Sequence, residues 1–242
     1  GRVMKNVTGY DLCKLMAGSW GTLAVMTDVT LKTLPLQERR VTLACHNLDD
    51  TKAVQFMSAS LGSPFDIVTA AHLPGRAMTV VQIEGLEKSV NYRVAELKTE
   101  LGHFGELSEF VDQKSDDLWA EVREVGNLLT KTDLVWKVST KPSDGPKLVE
   151  ALRENSDLEV LYDWGGGLVW IGLDQSNADL DVRAALEPFG GHATLFKATQ
   201  KQQAKFGVFH PLPEGNMKLT QGVKATFDPK GILNPGRQFE GL

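Results

Sequence analysis

The chain has 242 residues, 42% of them hydrophobic and 24% charged, with a formal net charge of -5. That length allows one large domain or two small ones with true cores, and the mild acidity argues against nucleic acid as the main partner. No apolar run reaches the roughly eighteen residues needed to cross a bilayer, the start GRVMKNVTGYD lacks the apolar stretch of a signal peptide, and Cys13 and Cys45 form no CxxC or disulfide framework, which points to a reducing, cytoplasmic setting.

In chain order, Asp11 is expected to cap a short helix through Leu12, Leu15 and Met16, with Gly18 at its C′ position. Ser19-Trp20-Gly21 reads as a turn. Leu23 to Leu34 reads as a β-strand, with Val25, Thr27, Val29 and Leu31 on one face, stopped by Pro35. Next come a strand over Arg40–His46, a helix capped by Asp50, strands over Phe65–His72 and Met78–Glu84, a helix with Val90, Val94, Leu97 and Leu101 on one stripe, and a strand over Phe104–Val111. This β-α-β-β-α-β order is the split, ferredoxin-like unit.

One intervening helix carries Leu118, Val122, Val125 and Leu129, and then the order returns. Leu134–Ser139, Leu158–Trp164, Leu168–Leu173 and His192–Phe196 read as strands, and Ser143–Arg153 and Asn177–Phe189 as helices, with Gly165-Gly166-Gly167 as a hairpin turn. The pattern predicts an α+β fold with one antiparallel sheet and helices on one face. Residues 199–215 read as a loop, Glu214–Phe227 as a helix, and FDPKGILNPGR as an ordered turn. The run Lys197, Lys201 and Lys205 is expected on a solvated surface, while Trp136, Trp164 and Trp170 are expected to pack.

The opening segment concentrates backbone freedom. Gly9, Gly18 and Gly21 flank the first helix, with Thr8, Ser19, Thr22 and Ala24 between them. Glycine serves where φ must be positive or where backbone must approach a partner closely, so this surface suits a flat ligand.

The stretch KNVTGYDLCKLMAGSWGTLAVMTDVTLKTLP resembles the end of the FAD-binding domain in the vanillyl-alcohol-oxidase type of FAD-linked oxidase, and FDPKGILNPGR resembles that family's C-terminal signature. Within the family, VWKVST, YDWGGGLVWIGL and GGHATLF are similar to the FAD-binding E-type subunit of bacterial glycolate oxidases. The resemblance implies a C-terminal remnant of the FAD domain (1–37), a cap domain of two ferredoxin-like units (38–198) covering the flavin and shaping a substrate pocket, and a segment returning to the FAD domain (199–242). It implies FAD contacts at Asn6, Thr8, Gly9, Tyr10, Asp11, Gly18, Ser19, Gly21, Thr22, Leu23, Asn234 and Arg237.

The family's pyrophosphate-binding half of the FAD domain has no counterpart before Gly1, so a truncated chain that does not hold FAD alone is expected. The histidine-rich metal motif of some family members is missing: His46, His72, His103, His192 and His210 stand apart, without ligand spacing. Oxidation of a 2-hydroxy acid by flavin needs a base for the hydroxyl and a cation for the carboxylate. The candidates are His192 for the first and Arg237 or Lys137 for the second. The resemblance further implies oxidation of glycolate to glyoxylate in a complex with a sister flavin subunit and an iron–sulfur subunit, in the cytoplasm or peripheral at the inner membrane. Two alternatives stay open: a stand-alone dehydrogenase for D-lactate or another D-2-hydroxy acid, and a non-catalytic docking subunit.

Overall fold

The structure, a computed structural model, describes residues 8–177 and 179–242. In chain order the elements are α1 (Leu12–Met16), β1 (Arg39–His46), α2 (Asp50–Gly62), β2 (Thr69–Leu73), β3 (Met78–Gly85), α3 (Glu87–Leu101), β4 (Leu107–Val111), α4 (Gln113–Arg123) and α5 (Gly126–Lys131). They continue with β5 (Leu134–Ser139), α6 (Gly145–Arg153), β6 (Glu159–Asp163), β7 (Leu168–Leu173), α7 (Val182–Leu186), β8 (His192–Lys197), α8 (Gln200–Phe206) and α9 (Glu214–Phe227). The chain divides into two compact units: residues 36–208, and residues up to Pro35 together with Phe209–Leu242.

The unit over 36–208 is built on one eight-stranded sheet in the order β4-β1-β3-β2-β6-β7-β5-β8. Each half is one split β-α-β-β-α-β unit, and the second mirrors the first across a seam where β2 and β6 share a single register pair, His72 with Tyr162. One face packs on α2, α3, α6 and α7. Val90, Val94, Leu97 and Leu101 of α3 all bury there, as their spacing requires. The four helices of the two units thus share a face as expected.

The intervening stretch differs. Val125 adopts a left-handed φ of 56° between α4 and α5, so the expected single helix breaks in two. Both pieces pack on the opposite sheet face, where Leu118, Trp119, Val122 and Leu128 meet Ala44, Val80 and Leu161. This double cover explains why β1 buries five successive residues, Val41–Cys45, instead of alternating.

Three other expectations change. The helix capped by Asp50 begins one residue earlier, with Asp49 as the cap accepting from the Lys52 N–H. The helix expected over Asn177–Phe189 shrinks to α7, started by the Asp181 carboxylate, which accepts from Arg183 and Ala184 N–H groups. Thr199 and Gln202 form a reciprocal capping box that nucleates α8 inside the expected loop. Arg183 then donates to the carbonyls of Ala193, Phe206, Gly207 and Val208, so this segment stays with the sheet unit.

In the other unit, the strand expected over Leu23–Leu34 does not form. Val25, Val29 and Leu31 are exposed. Alternation favours a strand, but a strand exists only by pairing, and no described residue pairs with it. No helix among the described residues is long and apolar enough to cross a membrane, and no group of three or more His, Cys, Asp or Glu side chains gathers as a metal site.

Candidate functional site

The unit containing α1 and α9 brings the two glycine-rich motifs together. Gly21 has φ +71°, and a Cβ there would stand 2.8 Å from Asn234 Nδ2. That amide donates to the Trp20 carbonyl at 2.9 Å, and Gln238 reaches the Gly18 carbonyl at 3.4 Å. Residues more than two hundred positions apart therefore share one surface. Gly18 (φ +82°) lies on it with nothing within 4 Å of an added Cβ, so left-handed backbone is bare there, as it also is at Gly9 (φ +77°) ahead of α1.

The candidates of this unit take different roles. Asn6 lies outside the described residues. Thr8, Gly9, Tyr10 and Asp11 are exposed, and the Asp11 carboxylate caps α1 by accepting from Lys14 N–H, which holds its pKa below the usual aspartate value. Ser19 and Thr22 are buried: the Thr22 hydroxyl donates to the Ser19 carbonyl at 2.6 Å, so both fix the turn. Leu23 lines an apolar pocket of about 360 Å³ with Leu15, Leu219, Val223 and Phe239. Asn234 and Arg237 are exposed, and the Arg237 guanidinium lies 5.7 Å from the Trp20 ring.

Sequence reasoning missed Lys224. This lysine is buried, and its ammonium donates to the Thr22 carbonyl (2.9 Å), the Leu233 carbonyl (2.7 Å) and Asp228 Oδ2 (2.6 Å). All three of its donors are used. Asp228 also accepts from the Ile232 and Leu233 N–H groups. The Lys224 hydrogen bond, with those from the backbone, lowers the Asp228 pKa to about 2. Lys224 thus ties the glycine turn to the terminal signature. Its one sequence signal is the i, i+4 spacing from Asp228.

The residues present fit a flavin: bare left-handed backbone at Gly18 admits close approach of a flat ring system, and Gly21 has no room for a side chain.

The sheet unit carries the other candidates. In register, Lys137 pairs with Trp170 and Thr194, and Ser139 with Leu168 and His192. Since side chains two apart on a strand share a face, Lys137, Ser139, Trp170 and His192 lie on one face, the one on which α4 and α5 pack further along. Asp163, the partner of Leu168, is on it too. Asp163 and His192 stand at opposite ends of one row across four strands, about 14 Å apart at the usual strand spacing. The Lys137 ammonium leans away from His192, 5.8 Å from the Trp164 ring and 5.5 Å from the Trp170 ring.

Burial pushes the Asp163 carboxyl pKa up, against the Trp164 N–H bond and the Lys137 charge. Trp136 is fully buried and Trp170 nearly so, while Trp164 is 65% exposed. Lys197 is not a solvated surface lysine: it donates to the carbonyls of Leu129 and Thr132. Of the three catalytic candidates the structure therefore places Lys137 and His192 on one sheet face, and Arg237 in the other unit.

Residues 211–237 match the family model described as FAD linked oxidases, C-terminal domain. The whole chain is 32% identical to "Glycolate oxidase subunit GlcE" of Escherichia coli (strain K12), spanning 61% of it. It is 25% identical, over 99% of its length and 59% of the relative's, to "Glycolate oxidase subunit GlcD" of Bacillus subtilis (strain 168). The chain thus spans about three fifths of the length of these curated relatives. Among solved structures, an alkyldihydroxyacetonephosphate synthase superposes with a TM-score of 0.55 at 13% identity, covering 96% of this chain and 51% of that one, a likeness of fold alone. The similarity to these relatives runs along the full chain, and the matched signature takes in α9 and Asn234.

Proposed function

We propose that the chain is part of the FAD-binding E-type subunit of a glycolate oxidase complex. In this reading residues 8–35 and 209–242 form a wall of the flavin site, and residues 36–208 form the cap. The observation that carries it is the meeting of Gly21 and Asn234, two motif residues far apart in sequence, around backbone that only glycine can supply. When bound, the flavin supplies a hydride acceptor.

The chain's own residues would hold and orient a 2-hydroxy acid. Lys137 and Arg237 are the candidates for the carboxylate anchor: each cation lies against indole, Lys137 by Trp164 and Trp170 and Arg237 by Trp20. His192 is the candidate for the hydroxyl proton. Electrons would leave to a sister flavin subunit and an iron–sulfur subunit. The two cysteines, one exposed and one buried, cannot ligate a cluster by themselves. The complex would work in the cytoplasm, with any membrane contact made through its other subunits.

The test is flavin binding by absorbance and fluorescence titration. The 242-residue chain is expected to bind FAD weakly or not at all. The subunit extended to its relatives' length is expected to bind it tightly, and Gly21→Val in that form to weaken it at least tenfold. Tight uptake by the 242-residue chain would overturn the fragment reading. An extended Gly21→Val protein that keeps its flavin would overturn the cradle.

A further inference from the structure

Beside the strands that α4 and α5 cover, the sheet face ends in a cluster of exposed aromatic surface around one cation. Trp164 is 65% exposed and Phe196 53% exposed, and Phe196 meets Trp170 edge-on at 5.0 Å. Trp164 sits at a left-handed φ of 52°, where a side chain other than glycine is strained. It is held there by Asp163, whose Oδ1 accepts the Trp164 N–H at 2.7 Å. The strain returns little packing, because Trp164 is largely exposed and its ring meets the Lys137 ammonium.

Three other long cations of this unit are tied down. Lys197 and Arg183 donate to carbonyls, and Arg153 to Asp50. Lys137 instead lies over two indole faces with no hydrogen-bond acceptor or ion pair among the described residues.

We propose that Lys137, Trp164, Trp170 and Phe196 form a binding site for a small carboxylate that carries an apolar or aromatic substituent. The ammonium already fills the aromatic cage, so a cationic ligand is repelled and an anion is drawn. The exposed indole and phenyl surfaces gain from contact only with an apolar body. Glycolate, with no side chain, would meet the cation and leave the rings wet. Asp163 is the positioning residue: it sets the turn that projects Trp164.

The site stands on the geometry of this sheet. Only the choice of hydroxy acids as probes rests on the proposed function, and a titration without flavin succeeds or fails independently of flavin binding. Mandelate titrated into the 242-residue chain should give saturable quenching of tryptophan fluorescence. Glycolate and neutral mandelamide should bind at least tenfold more weakly. Lys137→Met and Trp164→Ala should each lose at least tenfold in mandelate affinity with an unchanged circular dichroism spectrum. Trp20→Phe, in the other unit, should keep the response.

If a variant melts early, heteronuclear NMR shifts of the Trp164 indole N–H in the unaltered chain report binding directly. Mandelate that leaves that resonance unmoved, mandelamide that binds as well as mandelate, or glycolate that binds as well as mandelate would each overturn the proposal.

Discussion

The two halves of the eight-stranded sheet share a topology and differ in what lies on their second face. In the first half, α4 closes that face over a buried polar knot. Thr42 Oγ1 accepts from Trp119 Nε1 (2.8 Å) and shares a hydrogen bond with Ser115 Oγ (2.6 Å), which in turn accepts from Gln82 Nε2 (2.9 Å). Arg40 grips Asp116 of α4 through both of its oxygens. In the second half α5 packs on β6 and β7, and the remainder of the corresponding surface leaves Trp164 and Phe196 exposed beside Lys137. The repeated topology gives two equal frames. The covered one spends its polar residues on satisfying each other, and the open one keeps a cation and aromatic rings available. Availability of polar groups, more than fold, marks where a ligand can act.

The largest effect should come from breaking the joint between the halves. Asp50 of α2 accepts from Tyr162 Oη (2.8 Å) and Arg153 (2.7 Å), both of the second half, and meets His72 Nε2 at 3.3 Å. Asp50→Ala strands the buried Tyr162 hydroxyl and the buried His72 ring nitrogen, with the half-exposed Arg153 left to solvent, and should cost about 4 kcal/mol, the order expected for two stranded buried polar groups, read by urea denaturation. The same carboxylate gives a pH test. Burial pushes its pKa up, but hydrogen bonds from His72 and Tyr162 and the Arg153 charge outweigh this and leave it below the ordinary aspartate value. A carboxyl with a lowered folded pKa contributes stability above its unfolded pKa and loses it as pH falls through the folded one. The difference in stability between the unaltered chain and Asp50→Ala should therefore shrink as pH drops below about 4, and a difference that grew there would contradict the network.

Next in size is Gly191→Ala, at the start of β8 in the open half. Its Cβ would stand 2.1 Å from the Ser139 carbonyl oxygen, backbone against backbone, at a φ of +114°. The β5–β8 pairing that places Lys137 and His192 must shift, and a loss of about 3 kcal/mol is expected from overpacking and strain together. In the covered half, Thr42→Val keeps the shape but leaves Trp119 Nε1 without its buried acceptor and should cost about 2 kcal/mol. If calorimetry ranks Thr42→Val above Gly191→Ala, the covered half is the more fragile one and the comparison inverts.

Much of the frame was legible in the sequence because periodicity reports burial. Val90, Val94, Leu97 and Leu101 could only be one face of a helix, and both split units followed from such stripes. The Leu23–Leu34 strand was misread because alternation signals willingness to pair and carries nothing about a partner. The break at Val125 does carry a sequence mark, Gly126 directly after it, but the unbroken stripe of Leu118, Val122, Val125 and Leu129 outweighed one glycine, and the left-handed residue is the β-branched neighbour. At the sites, the Gly21–Asn234 meeting was expected from motif resemblance. Lys224 was not, since a buried lysine is recognised only once its three acceptors converge. The lean of Lys137 toward Trp164, away from His192, depends on a side-chain torsion that strand register does not fix.

The smallest effect should also be the most discriminating. The hairpin of the first half turns through Pro74–Arg76 and ends at Ala77, φ 49°, a small residue. The hairpin of the second half starts at Trp164, φ 52°, a bulky one. Replacing a largely exposed side chain removes little packing, and glycine accepts that φ without strain. Trp164→Gly should therefore leave stability unchanged or raise it by up to about 1 kcal/mol, against the usual cost of trimming a large aromatic. Thermal unfolding of this variant separates two accounts of the residue. A clear loss of stability would make Trp164 a packing residue of the hairpin. A gain joined to loss of mandelate quenching would show that the chain tolerates strain at this position because the indole is wanted in solvent, where a ligand can reach it.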